Sequence, residues 1–122
     1  MRAWWILIGS LAATPAVAAD QFDLVCTAKN NVVHYRVDLG RSEWCQGDCS
    51  VIRKLASVTT GMLVLADEKP VNPNQYRESI TINRNDGSWF SMGYFPRSTR
   101  MPVEDKGSCE PASFSGFPSP KF

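Results

Sequence analysis

The sequence has few of the residues that catalysis requires. It contains a single histidine, His34, among 122 residues, so a nucleophile–histidine pair could form at one place only, and no local signature puts a serine beside it. Carboxylates are plentiful, but those near turns, such as Asp38, Asp48 and Asp86, are typical of ordinary turn and surface positions. A glycine-rich phosphate loop is absent. We therefore predict a protein that is not an enzyme and has no cofactor.

Charge of one sign is not concentrated anywhere in the chain. Lys and Arg number 13, Asp and Glu number 12, and no basic patch or run of like charges occurs. A protein that binds nucleic acid or an anionic membrane surface needs such a patch. The expected partner is therefore a protein or a small-molecule ligand.

Residues 1–19 have the layout of a secretory signal peptide. A short basic start, Met1-Arg2, precedes the apolar run AWWILIGSLAA (3–13), and TPAVAA (14–19) ends in small residues that suit cleavage near Ala19. The apolar run is too short to span a bilayer comfortably. We predict that the processed chain, residues 20–122, is periplasmic or secreted and has no membrane span.

The chain after the signal is the size of one domain, in which a hydrophobic core alone gives limited stability. It keeps all four cysteines of the sequence. An even number of cysteines in a small exported chain is typical of a disulfide framework, and four cysteines allow three connectivities.

Hydrophobic periodicity predicts strands along most of the chain. Residues 22–28 and 32–39 alternate apolar and polar side chains, which is typical of half-buried antiparallel strands. The apolar run at 62–66 suits a well-buried strand. Residues 77–95 predict a hairpin, because Asn85-Asp86-Gly87 at its centre is a strong turn sequence.

Other segments are ambiguous or polar. Residues 50–58 suit a short strand or a short helix, and 68–75 and 96–108 are expected to be polar loops. We predict an all-β protein, a small antiparallel meander of about six to eight short strands that is barrel-like or a sandwich and is stapled by disulfides.

The stretch EWCQGDCS (43–50) raises the question of what Cys45 and Cys49 do. Thiol–disulfide oxidoreductases place C-x-x-C at a helix N-terminus, whereas here the spacing is C-x-x-x-C after a strand-like segment. A zinc site would need two more ligands, which Cys26 and Cys109 could supply only if all four cysteines met. A redox or metal-binding protein centred on this turn is an alternative hypothesis.

The favoured interpretation is two disulfides. Cys45–Cys49 would close a tight turn that Gly47 permits, and Cys26–Cys109 would join the first strand to the start of the tail. No metal site is predicted.

Aromatic residues provide the candidate binding surface, formed by Trp44, Trp89 and Tyr94. Trp89 and Phe90 are consecutive in a strand, so they must point to opposite sides of the sheet. One of the two belongs to the core, and the other is either exposed for binding or covered by the tail. The tail begins near residue 110 and is rich in proline and phenylalanine, and its aromatic area indicates that it docks on the sheet.

Four segments of the chain, FDLVC (22–26), YRVDL (35–39), WCQGDC (44–49) and GSCEPASFSGFP (107–118), together resemble small exported alphaproteobacterial proteins of unknown function. The resemblance covers most of the chain after the signal and implies export but no particular activity. The opening FDLVC is also loosely similar to that of periplasmic lysozyme inhibitors of the C-type group, small disulfide-bearing β-barrels, whose Ser-Gly-x-x-Tyr loop is missing here.

The sequence thus predicts an exported, non-catalytic, disulfide-stabilised β protein that acts as a binding or envelope-associated module. The alternatives are the cysteine-dependent redox or metal protein and an inhibitor of a periplasmic hydrolase of the lysozyme type.

Overall fold

The computed structural model describes residues 19–68, 75–95 and 101–119. The predicted signal peptide lies outside the described residues except for Ala19. Most of the polar loop predicted at 68–75 and the end of the tail also lie outside them.

The described chain consists of β-strands and turns, without a helix. The strands are β1 (Gln21–Ala28), β2 (Val32–Asp38), β3 (Glu43–Gln46), β4 (Arg53–Lys54), β5 (Ser57–Val58), β6 (Met62–Asp67), β7 (Arg77–Asn83), β8 (Ser88–Tyr94) and β9 (Val103–Ala112). The ambiguous segment 50–58 therefore forms two short strands. The all-β prediction is confirmed, with nine strands instead of the expected six to eight.

All nine strands belong to one curled antiparallel sheet, a half-barrel in which β9 joins two runs of consecutive strands. The strand order is β4-β3-β2-β1-β9-β8-β7-β6-β5. The two edge strands are neighbours in sequence: the Leu55 amide donates to the Ser42 carbonyl (2.8 Å) on one edge, and the next amide, of Ala56, donates to Val64 (3.0 Å) on the other. The chain itself therefore connects the two edges.

Residues 96–100 of the polar loop expected at 96–108 lie outside the described residues, and the expectation is wrong for 103–108, which belong to β9. This strand has no apolar alternation, because most of its side chains are polar or exposed. Its stability comes from main-chain pairing with β1 on one side and β8 on the other. The approach to β1 is close: a Cβ on Gly107 would lie 1.8 Å from the Thr27 carbonyl oxygen, so only glycine fits there.

The core lies on the inner face of the curl. Alternation along β2 turns Tyr35 and Val37 inward, as the sequence predicted, and these side chains are 1% and 0% exposed. The Tyr35 ring packs edge-on against Trp44 and Trp89, with centroids 5.9 and 6.2 Å away. Burial raises the pKa of Tyr35 to about 12.

Two disulfides join the cysteines in the pairing that the sequence favoured. Cys26–Cys109 links directly opposed residues of β1 and β9, and Cys45–Cys49 closes the turn after β3. Gly47 lies in this turn at a φ of 62°, a left-handed conformation that glycine adopts without steric cost.

The tail binds the outer face of β1 and β2. The Ser115 amide and hydroxyl donate to the two carboxylate oxygens of Asp23, at 3.1 and 2.7 Å. Arg36 donates to the carbonyl of Gly116 at 2.7 Å and to that of Gly47 at 3.1 Å, so one guanidinium holds both the tail and the disulfide turn.

Candidate functional site

A cleft of about 660 Å³ opens into the inner face of the curled sheet between β1, β6, β7 and β9. We call it the inner cleft. It is lined by Gln21, Phe22, Leu24, Leu63, Ile82, Asn83, Arg84, Gly87, Cys109, Pro111, Ala112 and Ser113, and by Ala19, which the predicted cleavage would remove. It is larger than two other hollows of the described chain, which measure about 480 and 370 Å³.

The apolar part of the inner cleft comes from strand residues that alternation turns inward. Leu24, Leu63 and Ile82 are core residues that are 2–7% exposed, and Phe22 is half-buried beside them. Leu63 and Ile82 are directly opposed on β6 and β7. The same inward pattern that forms the core therefore continues into the walls of the cleft.

The turn between β7 and β8 is fixed against β9 at the side of the cleft. Gly87 has a φ of 76°, and its carbonyl accepts a hydrogen bond from the Cys109 amide at 2.8 Å. A Cβ on Gly87 would lie 2.8 Å from the Cys109 carbonyl oxygen. Glycine at this position therefore allows the hairpin and β9 to approach closely.

The rim of the inner cleft is polar and has one cation. Arg84 is exposed, and its Nη1 donates to the Thr59 carbonyl at 2.7 Å. Asn83 accepts the backbone amides of Asn85 and Asp86 through its Oδ1 atom, at 2.9 and 3.3 Å. Because Ile82 faces inward, Asn83 is turned toward the outer face, where it lines a hollow with Phe90.

Gln21 forms the opposite part of the rim and binds a carboxylate outside the cleft. Its Nε2 donates to Asp38 Oδ2 at 3.0 Å. This hydrogen bond is the main reason that the pKa of Asp38 lies below its usual value, because it favours the ionised form. Asp38 lines a separate hollow with Asp20 and Arg41.

The candidate binding surface of Trp44, Trp89 and Tyr94 is not an exposed patch. Trp44 and Trp89 are only 1% and 3% exposed, because both pack against Tyr35 in the core. Phe90 points to the outer face, as the consecutive pair required, and is half-buried under Lys106, whose Nζ lies 5.8 Å from the ring centroid. Tyr94 is half-buried at the end of β8.

The cysteine turn contains a disulfide and no free thiol. All four cysteines are bonded, and Arg36 and the tail lie against the turn. Within the residues that the structure describes, no three His, Cys, Asp or Glu side chains are grouped so that they could hold a metal ion. His34 is exposed on the outer face of β2, away from the inner cleft.

Sequence reasoning missed the inner cleft and its cation. The predicted alternation at 22–28 puts Phe22 and Leu24 on one side of β1, but alternation cannot show whether that side is filled. Arg84 directly precedes the Asn-Asp-Gly turn. An arginine beside a predicted turn at the end of an inward-facing apolar strand is the signal that could have indicated a charged rim.

The fold and disulfides define a disulfide-stabilised all-β protein. Disulfides persist in oxidising environments, which indicates a location outside the cytoplasm. In the part of the chain that the structure describes, no helix is long and apolar enough to cross a membrane. Comparison of the chain with models of protein families, with curated proteins and with solved structures finds no match.

Proposed function

We propose that this protein is a non-catalytic binding protein that holds a small apolar molecule in the inner cleft. The observation that carries the proposal is an apolar cleft of about 660 Å³ on the inner face of a curled antiparallel sheet. Ligand sites in proteins typically have about 300–1,000 Å³ and mainly apolar walls with a few polar groups. Curled and closed antiparallel sheets commonly hold one small ligand in this position.

The proposal of a binding role instead of catalysis is supported by the groups around the cleft. Its lining contains no histidine, serine–histidine pair or pair of carboxylates, and these are the groups that acid–base and nucleophilic catalysis use. The polar residues at its rim are suited to orienting a ligand.

Binding can be tested with Nile red, a neutral apolar dye whose emission rises in an apolar site. The processed protein should bind it with a stoichiometry of one. Phe22→Ala removes apolar wall area and should weaken binding about tenfold, because a buried phenylalanine contributes about 1.5–3 kcal/mol.

Phe90→Ala is the matched control, because Phe90 is also a half-buried strand phenylalanine but lies on the outer face. It should leave the affinity within about twofold. Absence of dye binding, or equal weakening by both variants, would refute the proposed function.

We also propose that the protein acts in the periplasm or as a secreted protein after cleavage near Ala19. The signal-like residues 1–19 and the two disulfides support this location. Intact mass and N-terminal sequencing of the protein from its native compartment should show a chain that starts at Asp20. A chain that starts at Met1 would contradict the proposal.

A further inference from the structure

The inner cleft combines an apolar interior with charge of one sign at its rim. Arg84 has the one charged side chain among the residues that line it; cleavage after Ala19, which also lines it, would add the α-amino group of Asp20 nearby, a charge of the same sign. A cleft for a purely apolar ligand would need no charge, and a cleft for a cation would place a carboxylate there. The lining thus distinguishes between classes of ligand.

The positive charge of Arg84 is not neutralised by the described protein. The salt bridges of the described residues join Arg53 to Glu68 and Glu78, and Arg84 forms none. Among the described residues, its guanidinium makes one hydrogen bond, to the neutral carbonyl of Thr59. This bond occupies one of five guanidinium N–H groups, so it orients the side chain and leaves donors for a ligand.

The acidic groups near the rim are directed elsewhere. Asp86, in the same turn as Arg84, accepts the Ser88 amide at 2.8 Å. Asp20 and Asp38 line the neighbouring hollow instead of the inner cleft.

We infer that the inner cleft takes an anionic amphiphile, a molecule with an apolar chain that occupies the cleft and a carboxylate-like head that Arg84 binds at the rim. This inference rests on the proposed function and adds to it the chemical class of the ligand. The head accepts hydrogen bonds from the Arg84 guanidinium, while the chain contacts the walls at Phe22, Leu24 and Ile82. Bonds of this kind to a charged acceptor are roughly twice as strong as neutral ones.

The test compares three amphiphiles with the same dodecyl chain: dodecanoate, dodecanol and dodecyltrimethylammonium. Each displaces Nile red from the processed protein, below the concentration at which micelles form. Dodecanoate should bind about tenfold more tightly than dodecanol, the gain expected from one charge-assisted contact, and the cation should bind most weakly. The advantage of dodecanoate should shrink as salt is added.

Arg84→Gln should abolish the advantage of dodecanoate and leave the affinity for dodecanol within about twofold. Arg84→Lys should restore part of the advantage. Arg41→Gln is the control, because it removes the same charge from an exposed arginine of the neighbouring hollow and should leave the order of the three affinities unchanged. Circular dichroism and the dodecanol affinity report whether each variant keeps its fold and cleft.

The outcomes distinguish failure of the proposed binding function from failure of the inferred ligand class. Failure of Nile red to bind refutes the proposed function and the inference together, whereas bound Nile red that none of the three amphiphiles displaces refutes the inference alone. Equal affinity for all three, or an advantage of dodecanoate that survives Arg84→Gln, refutes the inference alone and leaves an apolar binding site.

Discussion

The two disulfides should contribute very unequally to stability, although their cysteines are equally buried. Cys26–Cys109 joins residues 83 positions apart, whereas Cys45–Cys49 joins residues 4 apart. In the chain-entropy model the long loop contributes about 4.5 kcal/mol to the free energy of unfolding and the short loop about 2 kcal/mol. Loss of the long disulfide removes a large part of a stability that is typically about 5–15 kcal/mol.

The comparison is best made with two paired alanine variants, Cys26→Ala/Cys109→Ala and Cys45→Ala/Cys49→Ala. Within each pair one cysteine is 0% and the other 5% exposed, so the cost of the deleted side-chain volume is matched and no free thiol remains. The difference of about 2.5 kcal/mol corresponds to about 10–20 °C in Tm for a domain of this size. Urea unfolding followed by tryptophan fluorescence reports it, because Trp44 and Trp89 are buried.

Equal losses of stability in the two variants would refute the predicted dependence on loop length, as would a larger loss for the Cys45–Cys49 variant. Either result would mean that the native contacts of the turn, and not the length of the closed loop, determine the contribution of each disulfide.

Three further predictions follow from the packing of the sheet. Gly107→Ala should destabilise the protein by about 3 kcal/mol or more, because its methyl group would overlap the backbone of β1. Gly61→Ala is the control and should change stability by less than about 1 kcal/mol, because the nearest atom to its methyl group is 3.7 Å away. Thermal unfolding compares the two variants, and equal shifts in Tm would contradict the close approach of β9 to β1. The pKa of Tyr35 is raised from 10 to about 12, so the stability due to its neutral phenol is complete below pH 10 and is lost as the pH rises to 12. The urea midpoint of Tyr35→Phe should therefore fall less between pH 10 and 12 than that of the unchanged protein. Midpoints that fall in parallel for the two proteins would exclude the effect. Asp23→Ala removes both acceptors for Ser115. Hydrogen exchange of the Ser115 amide should become about tenfold faster, while exchange of the β7 amides should not change. Unchanged exchange at Ser115 would show that other contacts hold the tail.

The parts of the fold that the sequence predicted are those set by neighbouring residues. Alternation at 32–39 identified β2 and its inner face, and Asn85-Asp86-Gly87 identified the hairpin of β7 and β8. These signals are local, because side-chain alternation and turn conformation depend on a few adjacent residues. These two signals can be interpreted without knowing which strands become neighbours in the sheet.

The parts that were missed depend on distant pairing. Residues 103–108 are mostly polar and contain Gly107, and they form a strand because β1 and β8 supply partners on both sides. Because consecutive side chains of a strand point to opposite faces, Trp89 and Phe90 were placed on different faces, but this alternation could not show which face would be covered. The inner cleft arises where side chains of strands far apart in sequence do not fill the space between them. The hydrophobic periodicity of a sequence cannot show such unfilled volume.

The disulfide pairing lies between these cases. An even number of cysteines indicated a disulfide framework, the tight C-x-x-x-C turn favoured Cys45–Cys49, and Cys26–Cys109 was favoured as a link between the first strand and the tail. The structure supplies the missing reason, since Cys26 and Cys109 are directly opposed on adjacent strands.

The central position of β9 has a consequence for the order in which the protein can fold. The strands β1 to β4 and β5 to β8 each form a meander of consecutive segments, whose pairings can develop while the chain is still emerging from the ribosome or from a translocation channel. The core between the two meanders cannot close until residues 103–112 arrive, because β9 is the strand that both require. A chain interrupted before this last strand would therefore expose two long unpaired strand edges, at β1 and at β8, and would be prone to aggregate or to be degraded. Arrival of β9 thus acts as a checkpoint, and the bond between Cys26 and Cys109 can form only after this strand is available.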